Sequence, residues 1–286
     1  STTRLFSFVR LANSTILLQH KGDLMINNLK NDKDRLLISK IMDKIKFCET
    51  KNKIQSTDFM DMSEQKLVEN FLKSQKVCNY IFKGGFEEAE RKIILFYPEK
   101  LSDIVDRINL NEYINVIRIE LPNEMQGKYS HRNYLGGLMK LGIERDKIGD
   151  ILVDDAGADI LTLPEMTKFL LNNLSSLTRF SKSKIEQVDI KDLRKVDIKT
   201  ETIKVTVSSM RLDNIVAELA KCSRGKANEI LAQERVLINY EIFTKPSKEV
   251  KENDTITIRG KGRFIIKSII GNTRKGRMFL EIEKFV

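Results

Sequence analysis

The chain has 286 residues with 50 Lys+Arg against 40 Asp+Glu, a net charge of +10, and 41% apolar and 31% charged residues; this bounds it to about two domains of a soluble, charge-rich globular protein. Cys48, Cys78 and Cys222 are too few and too widely spaced for a disulfide framework or a zinc knuckle, so reduced thiols in a cytoplasmic protein are expected, with no metal and no cofactor. No apolar run approaches the roughly 18 residues that span a bilayer, and the N-terminus lacks a secretory pattern, so neither membrane insertion nor export is expected.

Residues 1–24 have no clear period, and Met25 leads through a polar stretch into a helical pattern. Met25 therefore reads as the natural start, with 1–24 a leader or appended extension. Residues 32–47 place Leu36, Leu37, Ile41 and Ile45 at helical spacing, and Ser63 is positioned to cap a second helix with Leu67, Phe71 and Leu72 on one face. The stretch 25–76 is thus expected to be helical. From Val77 the pattern changes to apolar runs at 77–82, 93–98 and 116–121 closed by Gly or Pro, with helical stretches at 134–141 and 164–174. The turn Asp155-Ala156-Gly157 between two apolar runs predicts a hairpin. Residues 77–180 are accordingly expected to form an α/β domain on the plan of RNA-recognition-motif folds. Residues 181–207 mix both charge signs with few large apolar groups, as a linker or edge strand would.

Residues 208–286 contain 16 Lys+Arg and 10 Asp+Glu, a net of +6 out of the whole chain's +10. The positive charge is local. Leu212, Ile215, Val216 and Leu219 recur at helical spacing, as do Ala227, Ile230 and Leu231, and Ser223 is placed to cap the second of these helices. That leaves Arg224 and Lys226 in a first helical turn, where free amides and the helix dipole favour a phosphate. The run from Arg259 to Arg277 holds seven basic residues and no acid, and its glycine-rich turns present cations at strand ends. The expected RNA-binding residues are Arg211, Lys221, Arg224, Lys226, Arg259, Lys261, Arg263, Arg274 and Lys275. A weaker second face is expected from Lys128, Arg132, Lys140, Arg145 and Lys147 around one predicted helix.

Arg211-Leu212-Asp213, Ser223-Arg224, the strand at 236–239, Lys251 to Ile256 and Gly262-Arg263-Phe264, in that order, are similar to the S4 RNA-binding domain. Further back, Gly84-Gly85-Phe86 through Arg91, His131-Arg132-Asn133-Tyr134-Leu135-Gly136, Leu141-Gly142-Ile143 and Lys147-Ile148-Gly149-Asp150 resemble the bacterial YlmH family, a match running from about residue 30 to the end. The resemblance implies an α+β chain: a helical N-terminal part, a central α/β domain like an RNA-recognition motif, and at 208–286 an S4 domain of two helices and a small antiparallel sheet. It also implies non-catalytic binding of structured RNA, ribosomal RNA and tRNA on the large ribosomal subunit, in rescue of stalled subunits, with a link to cell division. A monomer is expected.

Two other readings remain open at this stage: an RNA-modifying enzyme of the pseudouridine-synthase kind, and a cell-division adaptor. Arg211-Leu212-Asp213 also belongs to the catalytic signature of pseudouridine synthases, but Met210 stands where those enzymes have glycine. Asp213 is instead expected to cap or salt-bridge. No glycine-rich cofactor loop or P-loop follows a strand. His131 stands alone, His20 lies in the doubtful leader, and Asp154-Asp155 reads as turn geometry rather than a metal site, so no catalytic residue is assigned.

Overall fold

The computed structural model describes residues 29, 31–195 and 200–285, so the expectations for 1–24, His20 and Met25 lie outside the described residues. The chain divides into two compact units, 1–196 and 197–286.

In the first unit, α1 (Asp32–Lys51) starts where the Asn31 side chain accepts from the Lys33 amide and stops at Asn52, which takes the left-handed conformation at φ +55°. Helix α2 (Met62–Ser74) is capped by Asp61, not by Ser63 as expected. Asp61 accepts from the Glu64 amide while Glu64 reaches back to the Asp61 amide, and the Ser63 hydroxyl only donates to Asp61. This reciprocal box satisfies two otherwise orphaned donors, which a lone serine could not do. The apolar stripes Ile38, Ile41, Ile45 and Val68, Phe71, Leu72 pack on Ile94 and Phe96. These lie in β3 (Ile93–Phe96), the middle of a three-stranded antiparallel sheet with β1 (Gln55–Ser56) and β2 (Tyr80–Lys83) at its edges. Strands β2 and β3, grouped by sequence with the later strands, thus close the helical N-terminal part.

The next six elements run β4 (Asn115–Glu120), α3 (His131–Lys140), β5 (Ile148–Asp154), β6 (Gly157–Thr162), α4 (Pro164–Asn173) and β7 (Lys184–Val188). Their sheet is antiparallel in the order β5-β6-β4-β7, the arrangement of an RNA-recognition motif. The predicted hairpin closes where the Gly157 amide donates to Asp154 Oδ1 at 2.9 Å. Gly157 sits at φ +156°, and a Cβ there would fall 1.8 Å from the Ile119 carbonyl, so no other residue lets β6 pass β4. Alternation sends Ile117, Ile119, Ala158 and Ile160 toward Tyr134, Leu138 and Leu170 of the two helices. The opposite set, Val116, Leu161 and Leu163, packs on Phe59, Ile93 and Leu95. Both faces of this sheet are therefore covered.

The second unit has β8 (Thr200–Val207), α5 (Leu212–Leu219), α6 (Arg224–Ala232), β9 (Val236–Ile238), β10 (Glu241–Ile242), β11 (Thr255–Ile258), β12 (Gly262–Asn272) and β13 (Met278–Phe285). They form one antiparallel sheet in the order β10-β9-β11-β12-β13-β8. The helix pair buries Leu212, Ile215, Val216, Ala227, Ile230 and Leu231 against Ile256, Ile258, Phe264, Ile266, Leu280 and Ile282, each of these side chains larger than alanine contributing roughly 1.5–3 kcal/mol by transfer from water. Residues 181–207, read as linker or edge strand, supply β7 at the edge of one sheet and β8 at the edge of another. Strand β8 is fixed by Ile203, Val205 and Val207, which alternate onto the core of the second unit.

Candidate nucleic-acid interface

The Ser223 side chain caps α6 by accepting from the Lys226 amide at 3.2 Å, as its position predicts. Arg224 and Lys226 then occupy the first turn, but the structure treats them differently. Arg224 donates through Nε to Asp213 Oδ2 at 2.9 Å, with Nη2 at 2.8 Å from the same oxygen, and Arg211 grips both oxygens of that carboxylate at 3.2 and 3.1 Å. Asp213 is 2% exposed, whereas the two arginine side chains are about half exposed. Burial alone would push the Asp213 carboxyl up, yet the bonds from Arg211 and Arg224 outweigh it and hold the group below its usual range. The bond to Asp213 in turn raises the Arg211 guanidinium. A buried anion thus fixes two arginine forks with outer N–H edges toward solvent, a geometry suited to phosphate oxygens. Asp213 salt-bridges, as Met210 and the helical pattern had suggested. Among the described residues Lys226 pairs with exposed Glu229 alone, at 2.6 Å, and can exchange that partner at little cost. Lys221, left-handed at φ +51°, stands just past the end of α5.

The acid-free run does not form one patch. Lys267 pairs with Glu283 at 3.3 Å, and Arg277 donates to the Thr206 carbonyl at 2.8 Å and approaches Glu218. The Arg263 guanidinium lies 3.9 Å from the centroid of the Phe285 ring, so this residue of the expected site is held against an aromatic face. The Arg259-Gly260-Lys261 turn joins β11 to β12, beside Arg235, whose guanidinium donates to the Arg259 carbonyl at 2.6 Å. Arg274 and Lys275 lie in the turn between β12 and β13. Strand β12 separates the two turns by 11 residues, about 30 Å of extended chain. The acid-free run is therefore split, with Arg259 and Lys261 beside Arg235 at one turn and Arg274 and Lys275 at the other, while Arg211 and Arg224 gather on Asp213. Arg235 escaped sequence reading because its sole signal was one cation in a turn outside the acid-free run.

The weaker face is reduced further. The Arg145 guanidinium donates to the carbonyls of Ile148 at 2.6 Å and Gly149 at 3.0 Å, and burial pulls its pKa down to about 10. Lys147 binds Asp58 at 2.7 Å and Glu165 at 3.6 Å. Both serve the fold. Lys128, Arg132 and Lys140 are exposed and form no ion pair among the described residues. RNA-recognition motifs stack bases on aromatic side chains of the central strands. Here the corresponding positions of β4 and β6 carry Val116, Arg118, Asp159 and Leu161, and the face is closed by Phe59, Ile93, Leu95 and an ion network. The stacking mode is closed to this domain.

Residues 111–206 match the family model described as "Putative RNA-binding domain in YlmH", and residues 210–256 match the S4 domain. A Bacillus subtilis (strain 168) relative, ribosome-associated protein quality control protein P2, is 27% identical over 251 residues, covering 88% of this chain and 95% of the relative. Over these two stretches the chain is similar to YlmH-type proteins that carry an S4 domain. The solved structure of the cell division protein ylmH from Streptococcus pneumoniae covers 58% of this chain and 98% of its own at 23% identity, with a TM-score of 0.46. In this YlmH-like chain the S4 match takes in the helix pair and the Asp213 cluster and ends before β12. No helix among the described residues is long and apolar enough to cross a membrane.

Proposed function

We propose that this YlmH-like protein binds structured RNA through its S4 unit, acting by binding rather than catalysis, in the cytoplasm and as a monomer. The observation that carries the reading is the pair Arg211 and Arg224 held on buried Asp213 beside the capped start of α6. Preorganised guanidinium forks and free helix amides bind phosphates without reading bases, so the recognition is of RNA shape. Lys221, Lys226, Arg259, Lys261, Arg274 and Lys275 extend the positive surface, with Arg263 bracing it through Phe285. Lys128, Arg132 and Lys140 supply a weaker contact from the first unit.

The ribosome-associated relative supports a ribosomal partner, and within it we place the site on large-subunit RNA and tRNA, in quality control of stalled subunits. Ultraviolet crosslinking of the full chain in cell lysate followed by sequencing of the bound RNA tests this. The expected result is enrichment of large-subunit ribosomal RNA and tRNA, lost in an Arg211→Glu, Arg224→Glu variant. Enrichment of unrelated messenger RNA, or no crosslink above background, contradicts it.

A further inference from the structure

Beyond the S4 match, the far end of the β12–β13 hairpin carries an uncommon combination of side chains. Phe279 is 40% exposed, and Ile269 and Ile270 are 42% and 45% exposed. The alternation that sends Leu280 and Ile282 into the core turns Phe279 to the outer face of the sheet. Its cross-strand neighbours on that face are Gly271 on β12 and Thr206 on β8. Neither can cover the ring. A Cβ built on Gly271 would meet nothing within 4 Å, so the space beside the ring is open. The register shift between Ile269 and Gly271 leaves Ile270 outside the regular pairing, which adds to the apolar surface at this tip.

The charge beside this ring is positive. Arg274 and Lys275, in the turn that leads into Met278, are exposed and form no ion pair among the described residues. The nearby acids are engaged or turned elsewhere: Glu218 approaches Arg277, Glu252 accepts from the Ile269 amide at 2.7 Å, and Glu281 faces Lys204 across the strand pair. An uncovered aromatic face flanked by two free cations is the composition of a single-stranded nucleic-acid platform, in which a base stacks on the ring while its phosphates meet the cations. A lipid surface fits less well, since surface anchoring takes a longer amphipathic face or a cluster of about four to eight cations.

We propose that Phe279 is a stacking platform for an unpaired RNA nucleotide whose flanking phosphates are held by Arg274 and Lys275. The proposal rests on the RNA-binding reading above but assigns a second, separate contact. It gives the protein a means to choose structured RNA that also offers a flipped-out or single-stranded base, which the phosphate-reading helix pair lacks.

The chain contains no tryptophan, so Phe279→Trp in the full chain installs a single indole fluorophore at the platform. Two probes are used: an RNA hairpin with an unpaired tail of about eight nucleotides, within the site size of a stacking groove, and the same hairpin with the tail fully paired. The expected result is that the tailed RNA quenches the indole emission of the Phe279→Trp variant and the paired one does not. Phe279→Ala should weaken binding of the tailed RNA by about 5- to 100-fold and leave the paired RNA within about twofold. Binding of both RNAs with unchanged affinity in Phe279→Ala and no quenching in Phe279→Trp overturns the platform while leaving the helix-pair site standing. Failure of the wild-type chain to bind either RNA overturns both. Quenching by anionic phospholipid vesicles but not by tailed RNA also overturns it, in favour of a membrane contact.

Discussion

Replacing Asp159 by alanine is expected to destabilise the first unit by about 3–5 kcal/mol, the usual consequence of removing one partner from a buried charge network. Asp159 is 0% exposed and accepts from Arg118 Nε at 2.8 Å and Nη2 at 2.7 Å, from Arg194 Nε at 3.1 Å and from the Arg194 amide at 2.9 Å. Arg194, with its side chain 8% exposed, also binds Asp154 and Glu120. Burial acts to lower its pKa, but its bonds to Asp154 and Glu120 outweigh this and raise it. Without Asp159 the two arginines keep their charge on a covered face, and the segment after β7 loses its main anchor. The unfolding transition of the first unit, followed by circular dichroism in urea, should shift to lower denaturant, and trypsin should cut faster after Lys191 and Lys195. A change below about 1 kcal/mol would mean that the network acts as a solvated surface cluster and contributes little to the fold.

Arg224→Glu and Lys226→Glu, which sequence reading treats as equivalent, should separate. Both are expected to weaken RNA binding about tenfold or more, since each exchanges a cation for an anion at a helix start. Only Arg224→Glu should also cost folding stability. It sets a second carboxylate against Asp213, which is 2% exposed. The cost is about 2 kcal/mol, less than for a fully buried pair because Arg224 is itself half exposed and Arg211 remains. The ion pair of Lys226 among the described residues is with exposed Glu229, so its reversal should leave the melting temperature within about a degree or two. The pH dependence has a definite sign. Asp213 is held below its usual range in the folded chain, so its contribution is fully present above the unfolded value of about 3.9 and is lost as pH falls through the lower folded value. Asp213→Asn should remove that acid-side loss. Equal melting temperatures for the two charge reversals would show that the Arg224–Asp213 bond carries no stability.

The contrast between these two residues shows where the sequence was legible. Most local signals held: Ser223 is the cap it was expected to be, the Asp155-Ala156-Gly157 turn closes a hairpin, and the apolar stripes of α2, α5 and α6 face their cores, whereas Leu36 of the expected α1 stripe is 58% exposed and Asp61 caps α2 in place of Ser63. The RNA-recognition-motif topology was legible only in part: β4, the β5–β6 hairpin and the two helices carry their own periods, but the apolar runs of β2 and β3 looked like members of the same sheet and the charged β7 looked like linker. What could not be read was which partner a charge would find across the chain. Arg118 and Asp159 are 41 residues apart, and Lys147 and Asp58 are 89 apart. No periodicity encodes such pairs. The acid-free run looked like one patch because sequence proximity was read as spatial proximity; an extended β12 turns that proximity into distance. Strand β8 had a readable signal in the alternation of Ile203, Val205 and Val207, obscured by the polar Thr200, Glu201 and Thr202 before them and by Lys204 and Thr206 between them.

The central claim is that phosphate contacts by the second unit dominate RNA binding, and the salt dependence of affinity tests it most directly. Titrations of the full chain with one folded RNA, from low to moderate salt, should give log affinity falling against log salt with a slope of roughly −3 to −5, as about five released counterions require. Neutralising Arg211, Lys226, Arg259 or Lys275 singly should make the slope shallower by less than about one unit and act alike on unrelated RNA sequences. A slope near zero, or one that the Arg211→Gln, Arg224→Gln variant leaves unchanged, would contradict the account.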